Sequence, residues 1–229
     1  MLNKLERGTL ADRAAVQLTA LIEDRLHPGE ALPSEAKLAE MLGVSRPVVR
    51  EALKSLQGQG LVEVINGRGA VVRHLTHAML LTYFSRAMQI KYASILELIE
   101  VRRGIEGESA RLAATRRSSE QLLEMQRITR EMRDCLGDAQ AYSGLDVQLH
   151  ILIGQASGNA VIAHLVESVR EALREASLRG LERRQADQLT RVQVLHEALV
   201  AAIEKSDATL ACETMTLHMN EAIASFMAP

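Results

Sequence analysis

The stretch SRPVVREALKSLQGQGLVEVINGRG, residues 45–69, changes its hydrophobic period halfway along, and that change narrows the folds open to the chain. Its first half repeats at helical spacing: Val49, Ala52, Leu53 and Leu56 form one stripe, while Arg46, Arg50 and Lys54 lie on another face. Pro47 falls in the first turn, where a missing N–H costs nothing. The second half offers two short β segments, 61–65 and 70–73, around Asn66-Gly67, the dipeptide that a tight type I′ hairpin prefers. The fold must therefore accommodate a helix with basic opening turns followed directly by a small hairpin.

The residues upstream supply a frame for it. Residues 9–26 read as a helix with Thr9 as N-cap and apolar positions at Val16, Leu18, Leu21, Ile22 and Leu26, ended by His27-Pro28-Gly29. Ser34 caps a second, short helix through 42, with Leu38, Met41 and Leu42 facing inward; Gly43 turns the chain, and Ser45 caps the third helix. Three helices with a glycine turn between the second and third, then a hairpin, is the winged helix-turn-helix plan. In it the third helix enters the major groove of DNA, where arginines near its N-terminus can donate bidentate hydrogen bonds to guanine. Glycines at the hairpin tip let backbone approach the sugar-phosphate edge. The competing reading is a small helical subdomain with solvated arginines, which suffices for Arg46 alone but not for the whole ordered set. Overall charge does not decide, because nucleic-acid contact needs a basic face, not a basic protein. Residues 1–75 hold 10 Lys+Arg and 9 Asp+Glu, yet residues 44–73 hold five basic and two acidic side chains.

Beyond about residue 77 no strand signal recurs. Helices are expected at 77–90, 94–116, 119–136, 139–156, 160–184, 187–204 and 207–227, several with capping chemistry at their starts (Ser94 with Glu97, Ser118 with Gln121, and Asp207). The fold class is therefore mostly α. A winged helix-turn-helix over 1–75 is joined to an antiparallel bundle of six or seven helices over 76–229, with the hinge at 74–80. The hydrophobic fraction of 47% is ordinary for a globular protein, and the aromatic content of 2% is low. No apolar run reaches the length of a membrane span, no signal-peptide pattern opens the sequence, and Cys135 and Cys212 are too few and too distant for a disulfide framework. A cytoplasmic address and buried free thiols are expected.

The bundle carries one constellation with chemistry in it. Asp146 and His150 stand four apart on one helical face, and His196 and His218 fall on two later helices among apolar neighbours. Three imidazoles and a carboxylate converging in a bundle core suit a borderline divalent metal, Zn²⁺ first, with Ni²⁺, Mn²⁺ and Fe²⁺ also compatible. Taken singly, Asp146-x-x-x-His150 reads as a surface pair, and either later histidine as a core residue with a satisfied hydrogen bond. Arg102 and Arg103 are ambiguous by spacing, since one of them can be a solvated neighbour.

At the level of motifs, ALPSEAKLAEMLGVSRPVVREALKSLQGQGLVEVINGRGAVV resembles the winged helix of the GntR family of bacterial transcription regulators. The remainder resembles the FCD ligand-binding domain of its FadR subfamily. LELIEVRRGIEGESARLAA follows that domain's Glu-x-Arg-x-x-(Leu/Ile)-Glu helix through Glu100, Arg102, Ile105 and Glu106, DVQLH its Asp-x-x-x-His segment, and the stretch from His196 to His218 its closing helix pair.

The resemblance implies a homodimer that binds an inverted-repeat operator in double-stranded DNA. The DNA-contacting set it points to is Ser34, Lys37, Ser45, Arg46, Pro47 and Arg50 on the helices, with Asn66, Gly67 and Arg68 on the wing. Arg46 and Arg50 match the base-reading arginines and Gly67 the wing glycine, but Ala36 stands where the family often has a DNA-contacting arginine. Asp146, His150, His196 and His218 match the metal positions of the metal-binding FCD proteins, and Leu149 replaces a frequent aromatic. The prototype fatty-acid-responsive member lacks such a site, so the implied effector is a small carboxylate anchored by Arg102, not an acyl-CoA. The expectation is thus a regulator, not an enzyme, with repression as the expected sign. Two alternatives are a metal-dependent hydrolase and a regulator in which the metal is structural or is itself sensed.

Overall fold

A computed structural model of the chain describes residues 9–74, 76–91, 93–182 and 186–227. The chain divides into two compact units, Met1–Thr76 and His77–Pro229.

In the first unit α1 spans Leu10–Arg25, α2 Glu35–Leu42 and α3 Arg46–Gly58, followed by β1 at Val62–Ile65 and β2 at Gly69–Val72. Short-range chemistry sets the starts. Thr9 and Asp12 form a reciprocal capping box on α1, and Ser34 Oγ accepts from Lys37 N on α2. Gly43, at φ 63°, ends α2 in a left-handed conformation that favours glycine. Ser45 occupies the N-cap position of α3, but its hydroxyl makes no capping hydrogen bond. Leu18, Leu38, Val49, Leu56 and Val62 close the core beneath these elements. Val16 and Met41, expected on apolar faces, are exposed instead.

The hairpin differs from the expected type I′ turn. β1 and β2 pair antiparallel with Ile65 opposite Gly69, leaving the three residues Asn66, Gly67 and Arg68 as the loop. Arg68 N donates to Ile65 O at 3.0 Å. A type I′ turn needs positive φ at both central residues. Here Gly67 (φ 81°) and Gly69 (φ 77°) take the positive values and Asn66 does not, so two glycines reverse the chain where one Asn-Gly pair was expected. A bridge between Ala31 and Val71 adds a third short segment to the sheet.

In the second unit α4 spans Ala78–Gln89, α5 Ile95–Arg116, α6 Ser119–Asp134, α7 Ala139–Ala156, α8 Ala160–Ala172, α9 Arg174–Glu182, α10 Ala186–Glu204 and α11 Ala208–Met227. Capping boxes start α5 (Ser94–Glu97) and α6 (Ser118–Gln121), and Asp138 and Asn159 cap α7 and α8. The expected helix over 160–184 is two helices that meet at Leu173, and residues 183 and 184 lie outside the described residues. The described bundle therefore has eight helices, not six or seven. Neither glycine nor proline marks the break; it accompanies burial of Leu173 and Ala176 with Leu98 and Ile99 of α5. The long α5 runs through the middle, packed on α11, α7, α8 and α10. Met125, Met132, Met215 and Met219 fill the main core with Leu149, Ile153 and Leu199, as the shortage of aromatic residues requires. Cys135 and Cys212 are free and half-buried. Among the described residues no helix is long and apolar enough to cross a membrane.

Candidate DNA-reading face and metal centre

The first unit presents Arg46 and Pro47 exposed at the start of α3, where the Arg46 side chain makes no hydrogen bond among the described residues. Arg50, one turn on, is held by Glu35 of α2: its Nη2 lies 2.8 Å from Glu35 Oε2 and its Nε 3.3 Å from Oε1. Lys37 pairs with Glu40 on the surface at 3.0 Å. On the wing, Arg68 Nη2 donates to the Gly29 carbonyl at 3.3 Å, and Asn66 and Gly67 are exposed. Ser34, Arg50, Lys54, Gly67 and Arg68 line a concave surface of about 580 Å³ between α2, α3 and the wing. The face thus leaves the Arg46 side chain without a hydrogen bond among the described residues, close enough to Glu35 for their charges to interact, and Arg50 already oriented by the same carboxylate.

In the second unit α7, α10 and α11 bring the four candidate ligands together. One donor atom from each of Asp146, His150, His196 and His218 lies within 4.8 Å of the others, and the three histidines are buried. Asp146 Oδ1 is 3.1 Å from His196 Nε2 and 3.7 Å from His150 Nε2, and the two Nε2 atoms are 3.3 Å apart. Ligand bonds of 2.0–2.2 Å place adjacent donors roughly 3.0–3.5 Å apart around one ion, so the residues fit a divalent metal. Among the described residues neither His150 Nδ1 nor His218 Nδ1, both buried, has a partner in hydrogen-bond geometry. Burial, then the Arg170 charge, pushes His150 down to about 4, and burial with its two neighbouring imidazoles pushes His218 well below its usual value. Uncharged imidazoles are the form that ligates.

Around these donors runs a buried ladder of charges. Arg102 Nε donates to Glu106 Oε1 at 2.7 Å. Arg170 of α8 holds Glu106 through Nε and Nη2 (3.1 and 2.8 Å) and Asp146 Oδ2 through Nη1 at 2.7 Å. His150 Nδ1 is in contact with Glu106 Oε2. Burial pushes both carboxyls up, but Arg170 in each case, with Arg102 at Glu106 and the histidines, outweighs it and holds both well below the usual range. Two arginines thus face two carboxylates, and the ladder is neutral before any ion is added. Arg170 spends every nitrogen on a carboxylate, whereas Arg102 makes only its Nε bond among the described residues, which leaves the guanidinium edge uncommitted. Arg103, the sequence-level rival, reaches Asn220 from an exposed position.

On the far side of the cluster, His196 Nδ1 lies 3.1 Å from the Tyr142 hydroxyl, which is 3.1 Å from Gln193 Oε1. Sequence reasoning assigned no role to Arg170, Tyr142 or Gln193, and took Glu106 only as a motif position. Glu106 had one usable signal, its place four residues after Arg102 on the same helix. The other three had none.

A winged helix-turn-helix with a basic recognition helix, followed by a helical unit of its own core, defines a DNA-binding regulator. Residues 10–72 match the model for bacterial regulatory proteins of the gntR family, and residues 97–221 match the FCD domain model. The chain belongs to the GntR family, and the pairing of these two domains fits its FadR-like subfamily. It is 31% identical over 197 residues to the HTH-type transcriptional regulator LutR of Bacillus subtilis (strain 168), covering 85% of this chain and 90% of that one. It is 32% identical over 176 residues to the Glc operon transcriptional activator of Escherichia coli (strain K12), covering 74% and 69%. The structure of Streptococcus agalactiae GntR has the same fold, with a TM-score of 0.71 at 23% identity over 94% of this chain and 99% of that one. LutR and the Glc operon activator are transcription regulators and both matched families are regulator families, so the hydrolase alternative is set aside.

Proposed function

We propose that the chain is a homodimeric regulator, cytoplasmic, whose affinity for an inverted-repeat operator is controlled by a small carboxylate bound beside a divalent metal in the helical unit. The observation that carries this reading is the convergence of Asp146 Oδ1 with the donor atoms of His150, His196 and His218 beside an arginine whose Nη edge is uncommitted. Zn²⁺ leads among the ions the donor set accepts; Ni²⁺, Mn²⁺ and Fe²⁺ share its preference for imidazole and carboxylate. When bound, the ion supplies a concentrated positive charge that a carboxylate oxygen can complete. Because Arg102, Arg170, Glu106 and Asp146 already balance, a divalent ion leaves two positive charges in a buried setting, and a compact anion compensates them. Arg102 offers that anion a planar donor fork.

On the DNA side, Arg46 and Arg50 read bases, Ser34, Lys37, Ser45 and Pro47 line the groove contact, and Asn66, Gly67 and Arg68 follow the backbone at the wing. A two-fold dimer imposes two-fold symmetry on its operator. The effector alters DNA affinity only through a difference in its affinity for two arrangements of the protein, and release from DNA, hence repression in its absence, is the expected sign. A Glc operon activator stands among the similar proteins, so operator binding with and without effector decides the sign. The test combines metal analysis of protein purified without an affinity tag, a thermal-shift screen of organic acids on the metal-loaded protein, and operator binding with each hit. Wild type should carry one metal per protomer, and Arg102→Ala should keep the metal and the operator affinity while losing the response to the acid. Retention of stoichiometric metal by a His150→Ala/His196→Ala double variant would remove the site.

A further inference from the structure

We infer that Gln193 and Tyr142 are positioning residues that hold the His196 proton on Nδ1 and so turn the Nε2 lone pair toward the metal centre; the inference rests on the metal-centre reading above. The argument starts at an amide. The two ends of a glutamine side chain look alike in coordinates, and only their partners tell them apart. Gln193 is fully buried on α10, and one end of its amide lies 2.9 Å from the Thr129 carbonyl oxygen and 2.9 Å from Glu197 Oε1. Both of those atoms only accept, so that end is the NH₂ group. Glu197 is itself pinned by Arg133 of α6, whose Nε lies 2.6 Å from the same Oε1, and this closes off the alternative of turning the carboxylate away.

The other end of the amide is then the oxygen, and it faces the Tyr142 hydroxyl at 3.1 Å. An amide oxygen has no proton to give, so the single hydroxyl proton of Tyr142 points to Gln193. What Tyr142 offers His196 Nδ1, 3.1 Å away, is a lone pair. Nδ1 must therefore carry a proton, and a neutral imidazole with its proton on Nδ1 has its lone pair on Nε2. That Nε2 is the atom beside Asp146 Oδ1 and His150 Nε2. His150 Nδ1 abuts the Glu106 carboxylate, an acceptor, but outside hydrogen-bond geometry, so its tautomer is not fixed in this way. Asp146 Oδ1, which only accepts, lies 3.1 Å from His196 Nε2, and His150 Nε2 lies 3.3 Å from it. Three atoms able to donate a lone pair thus converge on one point, which a shared cation, or a proton in its absence, holds together. His196 is oriented by a neutral relay through two buried side chains. Groups that orient metal-binding histidines in this way are worth about 10–100-fold in metal affinity when removed.

The experiment is long-range ¹H–¹⁵N correlation of the histidine side chains in the full-length protein, with and without Zn²⁺, the His196 signals being assigned by their loss in His196→Gln. Nδ1 of His196 should be protonated in both states, and in the Zn²⁺ form Nε2 should show the metal shift. Tyr142→Phe, which deletes only the hydroxyl, should speed solvent exchange of the Nδ1 proton and lower Zn²⁺ affinity, by chelator competition, about 10–100-fold. A neutral His196 with its proton on Nε2 in the wild-type metal-free protein overturns the inference without reference to any variant, so a Tyr142→Phe chain that fails to fold does not protect it. Unchanged proton exchange and Zn²⁺ affinity in a folded Tyr142→Phe also overturns it. A wild-type protein that binds no Zn²⁺ but keeps the proton on Nδ1 supports the tautomer assignment and defeats the metal-centre reading instead.

Discussion

Glu106 is enclosed by three groups that depend on it: Arg102, Arg170 and His150. Removing one partner from a buried ionic cluster leaves the others desolvated and uncompensated, which costs about 3–5 kcal/mol, more than the net worth of the pairs themselves. Glu106→Ala should therefore lower the urea-unfolding free energy of the metal-free protein by about 3–5 kcal/mol, and a loss under 1 kcal/mol would show that the ladder is not closed as described. The sign of the pH dependence follows from the same contacts. A carboxyl held below its usual range when folded contributes stability above its unfolded pKa, and that contribution drains away as pH falls toward the folded value. Wild type should lose stability below about pH 4 more steeply than Glu106→Gln. At this scale the sequence was legible in one direction only. His150, His196 and His218 stood out because polar residues among apolar neighbours are visible in a string of letters. Glu106 and Arg170 did not, because a charged residue on a helix reads as solvent-facing until the packing around it is known. Tyr142 and Gln193 matter through atoms that meet across 51 residues of chain, and no local pattern encodes that meeting.

Elements were legible wherever their ends carry local chemistry. Thr9, Ser34, Ser94 and Ser118 each cap the helix their spacing announced, since a cap and its N3 partner lie within one turn. The break at Leu173 was not legible, because it answers to the surface of α5 instead of to residues nearby. The hairpin lay between these cases: its place was clear, but its turn type depended on a second glycine at Gly69. On α3 the contrast between its two arginines gives a prediction. Arg50 arrives oriented by Glu35, while the Arg46 side chain is exposed and without a hydrogen bond among the described residues. Arg46→Ala should weaken binding to a selected operator by about 1–3 kcal/mol and relax preference at one base pair, with little change on random duplex. Equal losses on both duplexes, measured by fluorescence anisotropy at fixed salt, would reduce Arg46 to a phosphate contact.

For the molecule as a whole, one ion held by Asp146, His150, His196 and His218 would cross-link α7, α10 and α11. A ligand that binds only the folded state stabilises it by mass action, about 2.7 kcal/mol at a hundredfold excess over its Kd. Zn²⁺ should raise the melting temperature of wild type in proportion to the logarithm of its concentration and leave the His150→Ala/His196→Ala variant unmoved. The place of α11 in the chain carries a consequence of its own. The central helix α5 is made well before α11, on which it packs, and α11 also brings the fourth candidate ligand, His218. Synthesis proceeds at roughly 5–20 residues per second, so α5 spends several seconds outside the ribosome tunnel with its closing surface uncovered. During that time the nascent bundle has neither its finished core nor the full set of four candidate ligands. The core of the winged helix, which runs from Ala14 to Val72, is synthesised long before then. A newborn molecule should therefore own a folded DNA-reading unit before its helical unit is able to answer any ligand.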